Sequence, residues 1–130
     1  MRIVPFLMLT AATAFFSCSG PSEDKHIVLT ADKFEEKIRE SEDEIILDVR
    51  TPEEFAEGHI PGAVLMNIKD QDFEQRVNDL DKSRPVLVYC AAGARSEKAA
   101  AILKRSGFEE VYHLQDGLQE WSNKQKEIVK

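Results

Sequence analysis

Runs that are apolar on nearly every residue, rather than on alternate ones, constrain this chain most. Residues 45–49 read IILDV, residues 86–89 VLVY and residues 111–114 VYHL. A strand with one wet face alternates apolar and polar side chains. A strand without that alternation is covered on both faces, which argues for a parallel sheet with helices packed above and below it. The intervening segments supply those helices. Thr30 caps one that runs to about Glu40, with a thin apolar face of Ala31, Phe34 and Ile38. Thr51, Pro52 and Glu54 make a capping box with proline at the first helical position, and Gly58 ends that short helix. Phe73, Val77 and Leu80 mark a third helix. Ala99, Ile102, Leu103 and Ser106 mark a fourth, stopped by Gly107 with Phe108 placed to pack on Leu103. Leu118, Trp121, Gln125 and Ile128 line a last one. With two more strands at residues 27–29 and 64–68, the sequence predicts an α/β domain: a five-stranded, mostly parallel sheet with helices on both faces.

The chain has 130 residues, 42% of them hydrophobic, which is room for one domain with one core. Its net charge of −7 argues against a nucleic-acid partner, because phosphate binding needs clustered Lys and Arg. The beginning reads as a targeting segment. Arg2 gives a short positive end, residues 3–16 are almost wholly apolar, and Ser17 sets a small residue before Cys18. The apolar stretch falls short of the roughly 20 residues needed to cross a bilayer. It resembles a bacterial lipoprotein signal, with FFSC at residues 15–18 as the match.

That resemblance implies removal of residues 1–17, a lipid on Cys18, a polar tether over residues 18–25 and a domain over residues 26–130. The protein would then be an exported lipoprotein of the bacterial cell envelope, facing the periplasm and touching the membrane only through its lipid. The competing reading is cleavage after residues 12–14, giving a soluble periplasmic protein. In either setting the domain owns one cysteine, Cys90, which lacks a partner for an intramolecular disulfide.

Cys90 stands where the fourth strand ends. In open parallel sheets ligands bind beyond the carboxyl ends of strands, where the next helix points its free N–H groups. Ala91, Ala92, Gly93 and Ala94 leave the centre of the following loop unfilled, so the expectation is an open bowl of backbone amides above the sulfur, with a helix starting near Ser96. Amides, helix dipole and Arg95 would all favour a thiolate, hence a nucleophile.

The segment from Cys90 to Ser96 resembles the C-x-x-G-x-R-S active-site loop of single-domain rhodaneses, a family of sulfurtransferases. Asp48, Val49 and Arg50 with Glu54 and Phe55, the GHIPGA run at residues 58–63, and Leu114, Gly117 and Trp121 match further stretches of that family in the same order. Asp116 departs from it, standing where a glycine is usual; aspartate tolerates a left-handed turn, and its charge would bear on anionic donors. The resemblance implies sulfane-sulfur transfer from a donor such as thiosulfate to a thiol or cyanide through a persulfide on Cys90. Residues Ala91, Ala92, Gly93, Ala94, Arg95 and Ser96 would bind substrate, and an Asp48–Arg50 ion pair would brace the loop. No metal and no cofactor are required. The partners would be small donors and thiol acceptors, a protein acceptor being another option, with the protein a monomer.

Arg95 has two readings: contact with the donor's anionic end, or pairing with a carboxylate. His59 reads as a turn residue and Trp121 as core; His26 and His113 lack the spacing of a zinc site. Four residues separate Cys90 from Arg95, against five in related phosphatases, which disfavours a phosphatase or arsenate reductase. A non-catalytic docking module is the remaining alternative, and the intact cysteine loop argues against it.

Overall fold

The computed structural model describes residues 25–130, which alternate strand and helix. The strands are β1 (Ile27–Leu29), β2 (Ile45–Asp48), β3 (Val64–Leu65), β4 (Val86–Tyr89) and β5 (Val111–Leu114). The helices are α1 (Ala31–Glu40), α2 (Pro52–Glu57), α3 (Phe73–Asn78), α4 (Ala94–Arg105) and α5 (Gly117–Asn123). The sheet runs β1-β5-β4-β2-β3 and every pairing in it is parallel. This is the α/β architecture that the non-alternating runs predict. The expectations for the targeting segment, including the lipid on Cys18, fall on residues outside those described.

Each central strand feeds two cores. Ile45 and Leu47 of β2, Val86 and Val88 of β4, and then Cys90 face one side, where Phe73 and Val77 of α3 and Ala99, Ile102 and Leu103 of α4 cover them. Ile46, Leu87 and Tyr89 face the other side, against Ala31 and Phe34 of α1 and Trp121 of α5. The period of two places Cys90 on the α4 side, at the carboxyl end of the innermost strand. Only the edge differs from the expected pattern: Ile27 and Val28 of β1 are exposed, since β1 has a neighbour on one side only.

The caps form largely where the residue types put them. Thr30 accepts from the Lys33 amide, and Thr51 and Glu54 close both halves of the capping box. At the end of α4, Gly107 takes φ 99° and the Phe108 amide donates to the Leu103 carbonyl at 3.2 Å, a Schellman cap whose two side chains are both buried. Three elements are shorter than expected or displaced. β3 stops at Leu65, although the Met66 and Ile68 amides still bond to the carbonyls of Asp48 and Val49. α4 begins at Ala94 rather than near Ser96. The last helix ends at Asn123 rather than continuing to Ile128, because Gln125 takes φ 55° and the Lys126 amide turns back to the Trp121 carbonyl. Residues beyond it form an antiparallel bridge between Val129 and His59 instead.

A Cβ on Gly107 would meet only the Lys82 side chain, at an ordinary 3.7 Å, so the backbone angle is the whole reason for glycine there. Gly107→Ala should lower stability to unfolding by about 1–2 kcal/mol without disturbing the fold, as read by urea denaturation and far-UV circular dichroism. A neutral effect would mean that the cap is not held in the left-handed region.

Candidate active site

Cys90 follows β4 directly and is 1% exposed. The loop of Ala91, Ala92 and Gly93 closes over it, which corrects the expectation of an open bowl. With little side chain in the way, the backbone itself wraps the sulfur. Gly93 turns the chain with φ 108° and donates its N–H to Cys90 Sγ at 3.1 Å. That tight turn also explains why α4 begins early: the Glu97 amide reaches the Gly93 carbonyl at 3.0 Å and closes the first helical turn.

The direction of the loop amides follows from where its carbonyls go. A trans peptide points C=O and N–H opposite ways, so a carbonyl drawn outward turns the following N–H inward. The Cys90 carbonyl accepts from the Leu118 amide at 2.8 Å and the Ala91 carbonyl from the Gln119 amide at 3.0 Å, both donors lying in the first turn of α5. The Gly93 carbonyl is surrounded by the Glu97 amide, the Ser96 hydroxyl at 3.1 Å and His113 Nε2 at 3.1 Å. Burial pushes the Cys90 thiol up, but the hydroxyl and amide of Ser96 and the amides of Gly93 and Ala92 outweigh it and bring the thiol below its ordinary value. Hydroxyl and amide donors therefore shift the buried Cys90 toward the thiolate.

Two ion pairs flank the loop. Asp48 is fully buried and Arg50 is 5% exposed. Arg50 Nε lies 3.0 and 3.1 Å from the two carboxylate oxygens, Nη2 donates at 2.7 Å to Oδ2, and the same Nη2 donates at 2.7 Å to the Gly58 carbonyl. Burial works against the Arg50 charge, but Asp48 outweighs it and the guanidinium's pKa rises. Tyr89 joins this cluster: its hydroxyl accepts from the Ile60 amide, and burial, reinforced by Asp48, keeps it protonated. Arg95 pairs bidentately with Glu54, at 2.7 and 2.8 Å. Of its two readings, the structure takes the carboxylate.

Clefts open on both sides of the loop. One is lined by Arg50, Ala91, Ala92, Leu118, Gln119 and Ser122, the other by residues that include Gly93, Glu97, His113 and Asp116. Ala92 belongs to both and forms the exposed lip between them. Asp116 adopts φ −107°, so it needs no left-handed tolerance; Gly117 takes the positive angle instead, at φ 62°. His59 stacks on Phe55 and bridges to Val129, and Trp121 packs edge-on against Phe34 within the core. Three contacts escaped sequence reasoning: Glu54 with Arg95, His113 with Gly93, and the α5 amides on the loop. Only the first left a trace, since Glu54 was already marked by its capping box.

The Rhodanese-like domain family matches residues 30–124. A sulfurtransferase from Allochromatium vinosum is 32% identical over 78% of the chain and 92% of its own length. A putative sulfur carrier protein, YrkF of Bacillus subtilis, is 35% identical over 74% of the chain, which spans about half of that relative, 51%. Among solved structures, the rhodanese-like domain of an Anabaena sp. protein superposes with a TM-score of 0.70 at 31% identity, covering 81% of this chain and 80% of that one.

Glu54 carries a pH signature of its own. Its carboxyl is held down from 4.5 to about 2, first by Arg95 and then by Thr51, against an opposing push from burial. A depressed carboxyl contributes stability that is complete above the unfolded value and is lost as pH falls through the folded one. The stability difference between wild type and Glu54→Gln should therefore be constant above pH 4.5 and shrink as pH falls to about 2, measured by urea unfolding at each pH. A difference that survives unchanged at the acid end would show that the pair adds nothing through charge.

Proposed function

Because the chain belongs to the rhodanese-like domain family, we propose that it transfers a sulfane sulfur from a donor to a thiol or cyanide through a persulfide on Cys90. The observation that carries this reading is the Gly93 amide 3.1 Å from Cys90 Sγ, in a loop whose Cys90, Ala91 and Gly93 carbonyls are engaged elsewhere. In the first step the Cys90 thiolate attacks the outer sulfur of the donor. The donor's S–S bond breaks, its electron pair leaves with the remainder (sulfite, if thiosulfate is the donor), and Cys90 becomes a persulfide anion. In the second step an acceptor thiolate attacks the terminal sulfur, and the electron pair of the breaking S–S bond returns to Cys90 as thiolate. Amides of Ala92, Gly93 and Ser96 stabilise the anion in both resting states. No step uses a general acid, because each leaving group departs as an anion.

The charges around the lip bear on the donor. Both forks of Arg95 are taken by Glu54, and Arg50 is held by Asp48 and Gly58. Ala91 and Ala92 add no charge, and Asp116 lies beside Ala92 with an exposed carboxylate. A lip of this kind suits a thiol persulfide, with less negative charge, better than dianionic thiosulfate.

Purified protein treated with donor should gain the mass of one sulfur atom on Cys90, and cyanide should remove it as thiocyanate; Cys90→Ser should do neither. Turnover by Cys90→Ser, or wild-type protein that never gains the sulfur, would refute the persulfide route.

Asp116→Asn should raise the second-order rate of loading from thiosulfate by roughly two- to fivefold at low salt, the scale of one exposed charge contact. The gain should be smaller for a thiol persulfide and fade in high salt. Equal gains for both donors would remove charge as the cause.

A further inference from the structure

His113 is the one buried histidine among the described residues that the sulfur-transfer steps leave unused. It sits within β5, 4% exposed, in a run otherwise apolar. A polar ring in that position must find a partner or destabilise the sheet. It finds the Gly93 carbonyl, 3.1 Å from Nε2. A carbonyl can only accept, so Nε2 carries the proton, and Nδ1 is left bare with no hydrogen-bond partner among the described residues. Burial pushes the ring's pKa down, which keeps it neutral. The titratable groups around it are His26, whose ring meets it edge-on at 5.5 Å, Glu97 on α4 and Asp116 after β5.

The Gly93 carbonyl has more suitors than it can serve. It has two lone pairs and three donors: the Glu97 amide at 3.0 Å, the Ser96 hydroxyl at 3.1 Å and His113 Nε2 at 3.1 Å. The amide is fixed by the helix and the imidazole by its strand. Only the Ser96 hydroxyl can swing its hydrogen elsewhere, and the other group it faces is the Cys90 sulfur. We propose that His113 is a positioning residue: by filling the second lone pair of the Gly93 carbonyl, it releases the Ser96 hydroxyl to donate to the Cys90 sulfur. The same contact adds a second hold, beside the Glu97 amide, on the plane of the Gly93–Ala94 peptide, which follows the backbone angles of a glycine. The strand after the loop thus sets the hydrogen bonding of the loop before it.

The test reads the Cys90 thiolate directly, through the pH dependence of its alkylation by iodoacetamide in the full protein. His113→Leu should move the inflection up by about one pH unit, roughly tenfold in thiolate, the scale of one hydrogen bond to a charged sulfur. His113→Gln, whose Nε2 reaches about as far as the imidazole's, should restore it. Ser96→Ala should shift the inflection similarly, and adding His113→Leu to Ser96→Ala should shift it no further. An unmoved inflection in His113→Leu, failed rescue by Gln, or additive shifts would overturn the assignment. Should His113→Leu not fold, imidazole 15N shifts of the wild-type protein decide: the Nε2–H tautomer upholds the assignment and the Nδ1–H tautomer defeats it. In turnover the assignment rests on the sulfur-transfer reading, but the alkylation profile does not. A shifted profile in a protein that never forms a persulfide would therefore sink that reading and leave this one standing.

Discussion

Gly93 and Gly117 bring the loop after β4 and the turn after β5 into direct backbone contact. A Cβ on Gly93 would lie 2.0 Å from the Gln115 carbonyl oxygen, and one on Gly117 would lie 2.5 Å from the Ala91 carbonyl. Neither distance can be met by a side chain without moving main chain. The contact matters because it lets the first amides of α5 reach the Cys90 and Ala91 carbonyls. Those bonds turn the loop's oxygens away from the sulfur and its N–H groups toward it. A thiolate buried without such donors would be displaced to the neutral thiol by desolvation. The electrostatics of Cys90 thus come from peptide geometry more than from charged side chains.

Charged side chains hold the surroundings instead. Asp48 and Arg50 are both buried, and such a pair is rarely stabilising overall, since desolvating two ions offsets most of their attraction. Here the pair is saturated: Arg50 also donates to the Gly58 carbonyl, and Asp48 accepts the Arg50 backbone amide at 3.0 Å. Its effect is geometric, tying the end of β2 to the end of α2 beside the loop. Glu54 ties a second point. It closes the capping box of α2 with Thr51 and clasps Arg95 in the first turn of α4. One carboxylate therefore serves the start of two helices that are distant in sequence.

The sheet was legible because burial on both faces leaves a local mark, a run without alternation, that needs no knowledge of neighbours. Caps were legible for the same reason: Thr51, Glu54 and Gly107 act on residues within one turn. The end of α5 was not, since Gln125 is an ordinary helix former and takes its left-handed angle only because the chain must return to pair Val129 with His59. Cys90 could be singled out by its position after β4, whereas the closure of the loop over it could not, because the elements that close it are supplied by β5 and α5. His113 illustrates the same limit. From spacing alone it is a histidine without a metal partner, and its contact with Gly93 exists only once β5 lies beside β4.

Under the proposed persulfide chemistry, the closed loop bears on how charge would be handled. An S–S bond is about 2.05 Å long, so forming a persulfide moves the negative end outward by roughly that distance. Donors aimed only at Sγ would lose contact with the moving charge. The amides that bond the sulfur come from three residues spread along the loop and the first turn of α4, Ala92, Gly93 and Ser96. An arrangement of that kind follows a displaced anion better than a single guanidinium, whose donors lie in one plane. Arg95 is then available to clasp Glu54, and the hydrogen bonds on the sulfur come from the loop and Ser96.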